Sequence, residues 1–99
     1  MGRQADMPVE VSNNREAERY ELFVDGDLAG IADYRIDGEA IVFPHTEIRP
    51  ALRGQGYGAI LVRHALDDVR RSGQSVVPQC WYVADFIRDN PGYSNLLAA

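Results

Sequence analysis

The feature that most constrains this chain is a change of period across one glycine-rich junction. Upstream, Tyr20, Leu22 and Val24 alternate with Glu21 and Phe23, and a second apolar run ends at Ile48. Downstream, Leu61, Val62, Ala65, Leu66 and Val69 fall on one helical face, with Arg63, Asp67, Arg70 and Arg71 mainly on the other. A period of two marks a half-buried strand, and spacings of three and four mark an amphipathic helix. Between them lies a loop at residues 50–57, and Gly54, Gly56 and Gly58 crowd the point where strand gives way to helix.

The remaining elements follow from the same signals. Residues 8–11 read as a short strand, Ser12-Asn13-Asn14 as a turn, and 15–18 as a polar continuation. Strands are expected at 19–24, at 28–36 with Ala32, Tyr34 and Ile36 on one side, and at 40–48. Asp25-Gly26-Asp27 and Asp37-Gly38 supply the tight turns between them. The helix is expected over 58–71 with Gly73 as its terminator. A short strand at 75–78 follows, then a helix at 82–88 stopped by Asn90-Pro91-Gly92, and Leu96 and Leu97 pack back as a tail. Two strands joined by one helix are usually parallel with a right-handed crossover, and ligands bind beyond their C-terminal ends. The fold class is therefore α/β, and residues 46–53 should converge with Cys80.

Composition narrows the function classes. A chain of 99 residues suffices for one domain. That domain is expected at 8–99, behind a disordered lead at 1–7. A formal net charge of −5 disfavours a nucleic-acid partner, which needs a basic surface. All ten basic residues are Arg, whose planar fork suits phosphate oxygens. A lone Cys80 rules out an intrachain disulfide, and the isolated His45 and His64 lack zinc-ligand spacing, so no metal is expected. No apolar run approaches the roughly 20 residues of a membrane span, and no basic stretch leads into an apolar run near the start. A cytoplasmic chain without a membrane partner is expected; monomer and homodimer remain open.

The junction is the candidate binding site. The first turn of a helix presents about four N–H groups without intrahelical partners, at the positive end of the dipole. That makes an anion site. Glycines let a diphosphate approach the backbone, and Arg53 adds a charge-assisted fork. The competing reading is a plain strand-to-helix turn with glycines for sterics. A nucleotide P-loop is excluded because Gly-Lys-Ser/Thr is absent. The spacing also fails the dinucleotide fingerprint.

Arg53-x-x-Gly56-x-Gly58 resembles the Arg/Gln-x-x-Gly-x-Gly/Ala signature of the GNAT acetyltransferase superfamily. Further blocks agree in order and spacing: His45-Thr46-Glu47-Ile48, Val76-Val77-Pro78-Gln79-Cys80, Tyr82-Val83-Ala84, Ile87-Arg88 and Pro91-Gly92-Tyr93. Together they look like a compact subgroup of about a hundred residues that lacks the N-terminal helices of larger relatives. The resemblance implies a minimal GNAT fold: a mixed, mainly antiparallel sheet with one splayed parallel pair and two flanking helices. It implies acetyl-CoA as cosubstrate, with Ile48, Arg53, Gly54, Gln55, Gly56, Tyr57 and Gly58 holding the coenzyme. It also implies that the strand 43–48 runs beside the pantetheine arm, and that the chain is an N-acetyltransferase acting on a small-molecule or peptide amine. The alternative is a non-catalytic acyl-CoA-binding module or sensor.

Three residues are candidates for the chemistry. Cys80 ends the last strand just before a helix, where the dipole favours thiolate. The subgroup's cysteine at this place is a candidate catalytic residue, which leaves room for an acetyl-thioester on Cys80. Its other reading is a small buried apolar residue. His45 and Glu47 lie two apart on one strand, so they face one side, together with Phe43. Either is a candidate general base, and His45 is placed to pair with Cys80 across the parallel strands. In many GNAT enzymes a tyrosine four residues before a Gly-Phe pair protonates the leaving thiolate. Here Gly92-Tyr93 puts Arg88 at that place, with Tyr82 and Tyr93 as substitutes.

Overall fold

The computed structural model describes residues 8–98. The expected lead at 1–7 lies outside them. Five strands form one sheet in chain order: β1 (Val9–Asn14), β2 (Arg19–Val24), β3 (Asp27–Asp37), β4 (Ala40–Ile48) and β5 (Ser75–Val77). The first four make an antiparallel meander, and β5 runs parallel to β4. Helix α1 (Tyr57–Ser72) crosses between β4 and β5, and α2 (Trp81–Asp89) follows. Short 3-10 segments at Pro50–Leu52 and Pro91–Leu96 complete the chain. The expected α/β class with one parallel pair is what the structure has.

Both helices lie on the same face. The stripe Leu61, Val62, Ala65, Leu66 and Val69 of α1 is buried with Val83, Phe86 and Ile87 of α2, against Tyr20, Leu22, Ala32 and Phe43 of the sheet. Helix α1 ends where Gly73 takes a left-handed φ of 77° and donates to the Arg70 carbonyl. Arg70 and Arg71 in the last turn complement its dipole. Leu96 packs into the core, whereas Leu97 joins through its backbone, bridging to Val76 beside β5.

Two expectations at the sheet margin are corrected. Ser12, Asn13 and Asn14 belong to β1 rather than to a turn. Their polar side chains serve cross-strand partners: the Tyr34 hydroxyl donates to Asn13 Oδ1 at 2.7 Å, and Asn14 Nδ2 donates to Glu21 at 3.1 Å. The chain reverses at 15–18 instead, closed by the Glu18 amide on the Arg15 carbonyl, with Glu18 at φ 53°. Ile36 is 57% exposed, because β3 outruns the helix that covers Ala32 and Tyr34.

A third correction bears on the site. Asp33 pairs with His45 and Arg35 pairs with Val42, so β4 advances three residues while β3 advances two. This β-bulge spans Phe43 and Pro44, where a residue without an N–H is tolerated. It reverses which way successive side chains point. Phe43 packs on the helix side with Tyr20 and Tyr34, while His45 and Glu47 pair with Asp33 and Ile31 on the opposite face. The three residues therefore do not share a side.

Candidate functional site

Strands β4 and β5 separate soon after they meet. Their pairing covers Ala40–Val42 against Ser75–Val77, and the Cys80 amide then donates to the Phe43 carbonyl at 2.8 Å. Beyond that bond the chain turns into α2, and the end of β4 loses its neighbour on that side. The gap opens into a cavity of about 680 Å3. Its walls are His45 to Ile48 of β4, Leu52, Arg53, Gly54, Gly56, Tyr57 and Gly58 of the junction, and Trp81 and Tyr82 of α2. The expected convergence of the β4 end with the start of α2 is thus present. Of the seven expected coenzyme residues, six line this cavity and Gln55 does not.

The start of α1 is open. Its N-cap, Gly56, makes no side-chain cap bond, and the first amide to find an acceptor is that of Ile60, on the Gly56 carbonyl at 3.3 Å. Among the described residues, no N–H from Gly54 to Ala59 is bonded to a carbonyl or side chain. Helix α2 likewise begins with unbonded amides; the start of α1 differs in opening on the cavity beside Arg53. Arg53 donates through Nε to the Ile48 carbonyl at 3.0 Å, which ties the loop to the end of β4 and leaves its outer nitrogens at the cavity. The residues present therefore suit a diphosphate.

The glycines divide the labour. Gly56 has φ 86°, a left-handed conformation that needs glycine, and nothing lies within 4 Å of where a Cβ would stand. Gly58 is different. A Cβ there would collide with the Tyr82 hydroxyl, so the missing side chain makes room for a phenol rather than directly for an anion. Sequence reading had no signal for this contact, because it joins residues from two separate elements.

The remaining candidates are distributed unequally. His45 Nε2 and Glu47 Oε1 lie 3.1 Å apart, and both side chains are about half exposed. His45 thus takes Glu47 as partner. Cys80 is the N-cap of α2, 8% exposed, and is not among the cavity's lining residues. Tyr82 does line it. Burial pushes its phenol above the ordinary value of 10.0, and the nearby Cys80 charge adds to the shift. Tyr93 is held elsewhere: its hydroxyl donates to Asp67 Oδ1 at 2.7 Å, and Arg70 lies over its ring. Arg88 pairs with Asp85 and Asp89 on the surface. Trp81, 72% exposed, forms the rim. Thr46 Oγ1, buried in the β4 wall, has no hydrogen-bond partner among the described residues.

A second cleft of about 530 Å3 lies at the far end of α1. Several of its polar groups already satisfy one another. Tyr20 donates to Asp68 at 2.6 Å, Tyr34 donates to Asn13, and Arg71 pairs with Asp68. It offers no unpaired row comparable to the start of α1.

Comparisons with known proteins bear on family and fold. A family model described as GCN5-related N-acetyl-transferase matches residues 19–96. The chain is 31% identical over 87 residues to the protein NATD1 of Gallus gallus, covering 85% of this chain and 78% of that one. The human NATD1 is likewise 31% identical over 87 residues, covering 85% and 76%. Streptothricin acetyltransferase of Streptomyces lavendulae is 41% identical over 51 residues, half of this chain and 27% of its own length. Among solved structures, a GCN5-like protein from Staphylococcus aureus superposes with a TM-score of 0.69 at 15% identity, covering 97% of this chain and 92% of that one. The ribosomal-protein-S18-alanine N-acetyltransferase from Escherichia coli gives 0.58 at 20% identity, covering 61% and 39%. Such distant structures speak for the fold alone. With the family model covering most of the chain and the fold in accord, the chain belongs to the GCN5-related N-acetyltransferase family.

Proposed function

We propose that this protein moves an acetyl group from acetyl-CoA directly to a primary amine. The observation that carries the reading is the run of unbonded amides from Gly54 to Ala59 at the end of the cavity. These amides and Arg53 hold the diphosphate, and the free edge of β4 offers backbone groups to the pantetheine arm. Acetyl-CoA supplies the activated acetyl group; the chain's own residues position it and move protons.

His45 and Glu47 stand on the sheet face without helices, at the mouth of the gap. An ammonium arriving there gives a proton to this pair. The free amine forms a C–N bond with the acetyl carbon and the C–S bond breaks. The nitrogen's surplus proton balances the one taken up by the sulfur, and the products are an acetamide and free CoA. Tyr82 is the phenol on the cavity wall, and burial keeps it neutral and able to donate. It takes the place of the tyrosine that Arg88 displaces. The burial of Cys80 outside the cavity lining favours direct transfer over a thioester on Cys80.

Calorimetric titration with acetyl-CoA, coupled to thiol release over a panel of amines, tests this. The reading predicts binding, release of free CoA, and retained release in Cys80→Ala. Binding without release from any amine would instead indicate an acyl-CoA sensor. Loss of release in Cys80→Ala, with a covalent acetyl on the wild-type chain by intact mass, would restore the thioester route.

A further inference from the structure

The helix-free face of the sheet carries a groove of its own. A groove of about 270 Å3 crosses that face, floored by Ile31 and flanked by Leu28, Arg19 and Arg49. Glu47 forms part of its wall and also part of the coenzyme cavity's wall. One carboxylate thus stands where the two spaces meet. This inference rests on the reading above, in which the acceptor amine is deprotonated at His45 and Glu47.

His45, Glu47 and Arg49 occupy alternate positions as the chain leaves β4. The Arg49 amide continues the ladder by donating to the Ala29 carbonyl at 2.8 Å. Alternate residues of a strand project from one face, about 6.5–7 Å apart. The row therefore runs base, acid, guanidinium. Glu47 uses Oε1 on His45, and its other oxygen makes no hydrogen bond among the described residues. Arg49 makes one long bond, from Nη1 to the Leu28 carbonyl at 3.4 Å. Among the described residues it has no carboxylate partner, in a chain with 15 acidic and 10 basic residues. Arg19, at the other side of the groove, is matched by Glu21 at 2.8 Å.

We infer that the acceptor is a free α-amino acid with an apolar side chain. Its ammonium sits on Glu47 beside His45, its carboxylate takes the Arg49 fork, and its side chain lies over Ile31 and Leu28. An α-amino acid carries its ammonium and carboxylate one carbon apart, which suits a carboxylate and a guanidinium two positions apart along one groove wall. A polyamine would bring a second positive charge against Arg49. An amino-acid amide would forgo the charge-assisted bond to the guanidinium. The reaction is the one balanced above, and its product is an N-acetyl amino acid.

The test uses three acceptors that share one side chain: L-leucine, L-leucinamide and 3-methylbutylamine. The expected kcat/KM for leucine exceeds that for the other two by roughly 10- to 100-fold, the worth of one charge-assisted pair. Arg49→Gln should bring the three values together, and Arg49→Lys should restore part of the preference, because it keeps the charge without the fork. Equal use of the three by wild type, or an undiminished leucine preference in Arg49→Gln, would overturn the assignment. A second readout needs no coenzyme. Leucine, and not leucinamide, should shift the His45 ring signals in an NMR titration, and this shift should be lost in Arg49→Gln. Absence of that shift also overturns the proposal. Failure of acetyl-CoA to bind in the calorimeter would instead sink the transferase reading, while the NMR arm still reports on the groove.

Discussion

At Gly58 a missing side chain couples two helices. The Tyr82 hydroxyl occupies the space a Cβ would need, so Gly58→Ala must displace either the phenol or the first turn of α1. We expect Gly58→Ala to lower both thermal stability and coenzyme affinity, measured by thermal melt and calorimetry. Tyr82→Phe removes the hydroxyl and keeps the ring. It should lower kcat with little change in melting temperature, and an unchanged kcat would remove Tyr82 from the proton path. Glu21 makes a different kind of prediction. Arg19 holds its carboxyl below the ordinary value of 4.5, against the opposing effect of burial, and Asn14 assists. Since the folded pKa is the lower one, this stabilisation is complete above about pH 4.5 and is lost as pH falls through the folded value. Glu21→Gln should therefore show a shallower acid-side fall in melting temperature than wild type. Identical profiles would contradict that. At this scale, residue types were legible and directions were not. His45 and Glu47 stand out as a pair from spacing alone, but the face they occupy depends on a bulge at Pro44, which pattern reading cannot count. The position of Cys80 at the start of a helix is legible in the sequence, while its burial depends on packing.

Among the elements, α1 carries the strongest local signal. Its buried stripe is the one its spacing predicts, because a 3.6-residue period over four turns leaves little ambiguity. Leu66, fully buried, should cost about 2–5 kcal/mol on truncation to Ala. A denaturant melt checks this, and a cost under 1 kcal/mol would deny the packing described. The strand β1 was the hardest element to read. Ser12, Asn13 and Asn14 have turn chemistry by composition, and only their partners Tyr34 and Glu21 make them strand. The splay of β4 from β5 is a further property of pairing rather than of either strand. It follows from β5 being three residues long and from the Cys80–Phe43 bond that closes the ladder.

The whole molecule places two helices on one sheet face and leaves the other without a helix among the described residues. In the proposed reaction this asymmetry would separate coenzyme from acceptor. The unbonded amides lie at the start of α1, and the row of His45, Glu47 and Arg49 lies on the far side of the gap. Sequence order alone implied the parallel pair and the cavity beyond it, because a strand–helix–strand unit has one common handedness. It did not imply the groove across the open face, which is assembled from β2, β3, the end of β4 and the residue after it. No helix of the described residues is long and apolar enough to cross a membrane.

The central claim is that the amides from Gly54 to Ala59 grip a diphosphate. A 15N–1H titration comparing CoA with pantetheine, which lacks the diphosphate, tests it most directly. CoA should move the amide signals of residues 54–59, and pantetheine should leave them in place while perturbing β4. Equal shifts with both ligands, or none at 54–59 with CoA bound, would contradict it.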